Sequence, residues 1–215
     1  LKNLIPWAQR IENIKGIREA HTACSMCSTT NYFYTIDADN FIYEDELLET
    51  ISNFDVDPTN QNNFPLLHVF HSYNPILNFS YGWGGIKLWP KEFFKNPNYI
   101  KNKYIDFSTT FPLNVHEKVL SETRFNTSSW DTWRSAFREA YKLKLRIKNN
   151  IDASDFRIIN YHGLWYSPPN EQAEFYLECK EGARFATKLV DSGILIDVNN
   201  YDILKSLYDE NFKKP

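Results

Sequence analysis

Asp37 and Asp39 stand two residues apart, with Asn40 directly after them, and no other residues of the chain are so well suited to chemistry. On extended backbone, positions i and i+2 point the same way, so both carboxylates can address one hard divalent cation, with the Asn40 amide oxygen as a third donor. Mn2+ or Mg2+ held in this way would in turn hold a diphosphate. Asp39, farther from the preceding segment, is expected to be the principal ligand and Asp37 the supporting one. A short D-x-D string can also be a pair of solvated acids opening a turn, so the segment before it matters. Tyr32, Phe33, Tyr34, Thr35 and Ile36 are aromatic and β-branched, the pattern of a short buried strand, and they place the acids at a strand end.

A second constellation is Tyr81-Gly82-Trp83-Gly84-Gly85-Ile86-Lys87-Leu88-Trp89-Pro90. Glycines allow the backbone to approach a ligand closely, and an open indole face stacks on a sugar or a base. Tyr81, Trp83, Gly84, Gly85 and Trp89 are therefore expected to contact a ligand such as a sugar, the alternative being a structural turn with buried tryptophans. Arg134 and Arg138 lie one helical turn apart and could reach the same phosphate, although Glu139 and Glu122 could equally neutralise them. His162, in the aromatic segment Tyr161-His162-Gly163-Leu164-Trp165-Tyr166, suits a metal ligand and a core histidine equally. His21, Cys24 and Cys27 follow one another at i+3 spacing, but a structural zinc site needs four ligands, so they read as a helix face with small buried thiols. His68, His71 and His116 read as partly buried strand or loop residues, of which only His71 approaches the acids.

These residues need a scaffold. Alternation over 9–14 predicts a strand, Lys15-Gly16 a turn, 17–27 a helix and 31–36 a strand, the arithmetic of a βαβ unit whose ligands gather at the carboxyl ends of parallel strands. A helix over 44–54, a polar loop at 57–63 and a second apolar strand over 66–71 follow. The proline- and glycine-rich stretch from 74 to 104 reads as a shaped loop with short strands. Helices are predicted over 130–148, with Trp133, Ala136, Phe137, Ala140, Tyr141 and Leu145 as one apolar stripe, and over 170–191, ended by Ser192-Gly193. The expected fold is α/β, a mainly parallel sheet flanked by helices, with 31–36 as a central buried strand.

Composition narrows the classes. The 215 residues are 42% hydrophobic and 16% aromatic, which excludes a disordered chain. Twenty-four Lys+Arg against 27 Asp+Glu leave a net charge of −3, so no global basic field is available for a nucleic-acid backbone. No apolar run is long enough to cross a membrane, and no membrane partner is expected. Three cysteines make no disulfide framework, and a reduced, cytoplasmic chain is the expectation. Without a repeat or a linker, 1–215 reads as one domain. Met26 is the only methionine, so a fragment that lacks its first element is expected.

The order strand, helix, strand ending in D-x-D, then an acceptor loop and a late histidine resembles glycosyltransferases of the GT-A fold. Asp37-Ala38-Asp39 matches their metal motif. Tyr81-Gly82-Trp83-Gly84-Gly85 looks like the W-G-W-G-G segment of β-1,4-galactosyltransferases, and His162-Gly163 could stand where many GT-A enzymes place their last metal ligand. With Lys15-Gly16-Ile17-Arg18-Glu19-Ala20-His21 and the segment from Trp130 to Glu139, the whole pattern is similar to uncharacterised GT-A-like domains of large tailed phages and other viruses. The resemblance implies a metal-dependent transferase that takes a sugar from a nucleotide-diphosphate donor to an acceptor hydroxyl on a glycan, a protein or modified nucleic acid. It implies a Rossmann-like sheet that here lacks its first strand. Asp37, Asp39, Asn40, Arg134 and Arg138 would hold the donor, and Asp37, Asp39 and His162 the metal.

One departure concerns the catalytic base. In the galactosyltransferases acids follow the Gly-Gly pair, whereas here Ile86-Lys87-Leu88-Trp89 follows, so Asp131 or Glu122 must activate the acceptor, or the reaction retains configuration without a dedicated base. Two other readings accompany this one: a carbohydrate- or nucleotide-binding module or virion component without turnover, and a haloacid-dehalogenase-like phosphatase. The latter needs a further acidic pair near the C-terminus, which Asp191 and Asp197 supply poorly.

Overall fold

A computed structural model describes residues 3–53, 65–82, 85–95, 107–149 and 156–212. The predicted loop at 57–63 lies outside them, as do Trp83 and Gly84. The chain is α/β, with a mixed sheet and flanking helices. It divides into two compact units, one of Leu1–Asn74 with Ser80–Thr123 and the other of Pro75–Phe79 with Arg124–Pro215.

The first unit carries the sheet. Its elements are α1 (Ile17–Cys27), β1 (Tyr32–Ile36), β2 (Asn40–Ile42), α2 (Glu44–Asn53), β3 (Leu67–Asn74), β4 (Phe79–Tyr81, shared at Phe79 with the second unit), β5 (Ile86–Pro90) and β6 (Leu113–Thr123). The strand order is β1-β5-β3-β6-β2, with β4 pairing β3 off this path. Strand alternation sorts the apolar side chains onto two faces. Phe33, Leu67, Val69, Trp89, Phe93 and Phe111 form one cluster, and Ile5, Leu47, Phe70, Ile86, Leu88 and Leu120 form the other.

Three expectations are corrected in this unit. The sheet is not mainly parallel: β1 with β5, β3 with β5 and β2 with β6 run antiparallel, and β3 with β6 runs parallel. β1 is not central but ends the strand order, half-buried in alternation. Residues 9–14 form no strand, because Asn13 takes a left-handed φ of 61° that breaks extended pairing. The helices at 17–27 and 44–53 and the strand at 32–36 lie where the sequence places them.

The topology itself focuses the site. β1 and β2 sit at opposite ends of the strand order, yet only residues 37–39 join them. A flat sheet would separate its end strands by about 19 Å, and four extended Cα steps span at most about 14 Å. The sheet must therefore curl until its two ends meet at the Asp37–Asp39 turn.

The second unit is helical, with α3 (Ser129–Lys148), α4 (Phe156–Tyr166), α5 (Tyr176–Asp191) and α6 (Tyr201–Asn211). Of the predicted stripe, Trp133, Ala136, Phe137, Ala140 and Tyr141 are fully buried and Leu145 packs, partly buried, against the same core. Gly182 lets α5 approach α3 closely, since a Cβ there would lie 2.5 Å from the Trp133 carbonyl. α5 begins later than the predicted residue 170. The Asn170 side chain bonds the Pro75 carbonyl and the Gln172 amide, and Phe175 has a φ of 59°, so 170–175 is a set of turns. The aromatic segment 161–166 belongs to α4.

Candidate functional site

The Asp37–Asp39 segment is a tight turn tied to the glycine-rich segment. The Asn40 amide donates to the Asp37 carbonyl at 3.2 Å and closes the turn. The Asp37 amide donates to the Gly85 carbonyl at 2.8 Å, one step beyond the last β1–β5 register pair, Ile36 and Ile86. Two motifs separated by more than forty residues in sequence therefore share one hydrogen bond. A Cβ on Gly85 would collide with the Asn40 amide, so glycine is needed there for close approach rather than for an unusual φ.

Asn40 has a different role from the one expected. Its Oδ1 accepts from Ser121 Oγ at 2.9 Å and from Ser72 Oγ at 3.2 Å, so that oxygen is turned into the sheet and is not a metal donor. Its Nδ2 donates to Asp39 Oδ1 at 2.9 Å. Ser72 and Ser121 are fully buried, and Ser72 also meets Thr123 Oγ1 at 2.9 Å. Buried hydroxyls from β3 and β6 thus orient an amide on β2, and the amide orients the carboxylate. This relay resembles the outer contacts that fix metal-ligating groups in general.

The two acids are differently placed. Asp37 is half-exposed and its Oδ2 lies 3.5 Å from the Lys87 ammonium. Asp39 is exposed at the tip of the turn, but protein atoms crowd its carboxyl and, together with the Asp37 charge, raise its pKa above the ordinary carboxylate range. Hard oxygen donors on the two residues that flank Ala38 are of the kind that suits Mg2+ or Mn2+, which are commonly bound through one or two carboxylates plus substrate phosphates. No set of three or more His, Cys, Asp and Glu side chains among the described residues could hold a metal ion.

The remaining expected site residues are distributed as follows. Trp89 is a correction: it is fully buried, donates from Nε1 to Thr35 Oγ1 at 2.9 Å and packs against His21, Phe94 and Phe111, so it has no face open to an acceptor. Tyr81 is half-buried and Gly82 buried, where a Cβ would press on Val115 and approach the His71 ring. Glu122 is partly buried on β6 between Ser121 and Thr123. Strand alternation sends its side chain to the face opposite the Asn40 amide.

Asp131, Arg134, Arg138 and His162 lie in the second unit. The Asp131 carboxylate accepts from Ser128 Oγ at 2.7 Å and from Thr127 Oγ1 at 3.2 Å, while its amide donates to Ser128 Oγ, a capping box at the start of α3. It also pairs with Arg134 at 3.2 Å. Arg134 and Arg138 both stack on the Tyr201 ring, and Arg138 donates to the Val198 carbonyl and to Asn199 Oδ1. These contacts tie α3 to the start of α6 rather than leaving the guanidinium groups open for phosphate. His162 Nε2 meets Thr187 Oγ1 at 2.9 Å on α5, and burial lowers its pKa.

Sequence reasoning passed over Lys87, Ser72, Ser121 and Thr123. The signal for the hydroxyls was modest, because β3 and β6 carry other polar residues as well, among them His68, His71, His116, Glu117 and Lys118. Comparison of the chain with known protein families, with curated proteins and with solved structures finds no match.

Proposed function

We propose that the chain is a metal-dependent glycosyltransferase of GT-A-like fold, moving a sugar from a nucleotide-diphosphate donor to an acceptor hydroxyl. One observation carries the reading: the Asp37–Asp39 turn is hydrogen-bonded to Gly85 and its outer carboxylate is aimed by a buried amide–hydroxyl relay. Solvated acids at an ordinary turn need neither feature. Asp39 and Asp37 would hold Mn2+ or Mg2+, which when bound offsets the charge of the departing diphosphate. Asn40, Ser72 and Ser121 keep Asp39 in position, and the backbone at Gly85 forms the wall beside the turn. Gly85, hydrogen-bonded to that turn, would bring the 81–85 segment to the acceptor side.

A second reading, a module that binds the donor without turnover, draws on the acids proposed as base. Asp131 is spent on the α3 cap, and Glu122 leaves the sheet on the face away from Asn40. Incubation with UDP- and GDP-sugars in Mn2+, with release of free sugar and nucleoside diphosphate followed by chromatography, separates the two. Slow donor hydrolysis that chelation stops supports the transferase, and metal-dependent binding without hydrolysis supports the module. Absence of both rejects a nucleotide-sugar site.

A further inference from the structure

Lys87 is the second residue of β5, side by side with Thr35 on β1 and Val69 on β3, and is 7% exposed. Among the described residues its ammonium has one polar contact, Asp37 Oδ2 at 3.5 Å, the outer limit of a hydrogen bond. An ammonium has three donors, and burying one against a single distant carboxylate is costly where its neighbours on the same face are apolar or small. A methionine or leucine would fill the position at less cost. The charge also reaches Asp39, where it favours the ionised carboxyl. A buried cation at the edge of an acidic turn, whose one anionic contact is long, has donors to spare for a second anion.

We propose that Lys87 is an anion-recognition residue that gives its ammonium to a phosphate oxygen of a diphosphate held at the Asp37–Asp39 turn. The inference rests on reading that turn as a cation and diphosphate site. With Lys87 present, the carboxylate pair is partly neutralised, so a divalent cation alone is held weakly and a cation–diphosphate pair is held well. This distinguishes recognition from mere support of Asp37. A residue that only oriented Asp37 would weaken cation binding when lost, whereas an anion-binding residue repels the cation and its loss tightens that step.

The test titrates the full chain calorimetrically with MnCl2 alone, then with UDP and with GDP in excess Mn2+, for wild type and for Lys87→Met. The expected result is Mn2+ binding at least as tight in the variant, with the affinity for whichever nucleotide the wild type binds reduced roughly tenfold to a hundredfold, the range of a hydrogen bond to a charged group. Equal nucleotide affinity in variant and wild type overturns the proposal, as does weakened Mn2+ binding with a proportional nucleotide loss. If Lys87→Met does not fold, a wild-type crystal with UDP or GDP and Mn2+ decides, since the Lys87 Nζ must lie within about 3.2 Å of a phosphate oxygen. A wild type that binds neither nucleotide overturns the reading of the turn itself, a result visible without any variant.

Discussion

Burial and a neighbouring charge both disfavour the ionised form of the Asp39 carboxyl. Its pKa is raised chiefly by desolvation and then by the Asp37 charge, so the folded chain holds a proton there more readily than the unfolded chain, and this contribution to stability declines as pH rises through that range. Asp39→Asn removes the burden while keeping an oxygen for the Asn40 Nδ2 donor. It should be at least as thermostable as wild type at pH 7 and should lose Mn2+-dependent nucleotide binding, checked by thermal unfolding and calorimetry. A variant that melts earlier yet binds normally would make Asp39 a structural residue. His68 behaves in the opposite sense. Burial first, and His116 at 2.9 Å second, lower its pKa to about 4. Below its unfolded pKa of about 6.5 the unfolded chain binds the proton preferentially, so stability falls as pH drops from about 6.5 toward about 4, by roughly 1–3 kcal/mol. Urea midpoints at pH 7 and pH 4.5 should shrink their separation in His68→Gln. No change in that separation would remove the histidine pair from the acid response.

Among the elements, the join between β1, β5 and β2 is the most demanding. Gly85→Ala must displace the Asn40 amide, which loses its Ser72 and Ser121 donors or its hold on Asp39. The expected cost is about 1–3 kcal/mol of stability, with Mn2+-dependent binding weakened as well. Full retention of both would mean that the amide moves freely and orients nothing. The α3 start makes a contrasting case. Asp131→Asn should cost about 1 kcal/mol through the cap and leave donor hydrolysis intact. A loss of about a hundredfold or more at unchanged stability would identify Asp131 as the base instead. What was legible here follows from range. Helices 17–27, 44–53 and 129–148 were readable because their apolar spacing is local. Strand direction, the burial of Trp89 and the Asn40–Gly85 contact depend on partners that sequence spacing does not announce. The capping box was legible in principle, as a serine followed three residues later by an acid ahead of an apolar stripe.

At the scale of the molecule, two units share one chain, and the short segment Pro75–Phe79 belongs to the helical one. Ile76 and Leu77 are fully buried in its core, and Asn170 Nδ2 grips the Pro75 carbonyl at 2.9 Å. Ile76→Ala should therefore destabilise by about 2–5 kcal/mol in urea denaturation despite lying between two strands in the sequence. A cost below about 1 kcal/mol would show that the helical unit does not depend on this insertion. No composition shift marks the division, so the sequence reads as continuous. The curled sheet, by contrast, is implied once the strand order is known, because residues 37–39 alone must join its two ends. That closure makes the acidic turn the meeting point of the first unit. The most direct measurement is anomalous diffraction from crystals soaked with Mn2+ and a UDP- or GDP-sugar. A manganese peak held by the Asp37 and Asp39 carboxylates is expected, and a peak elsewhere, or none at this turn with nucleotide bound, would contradict that assignment.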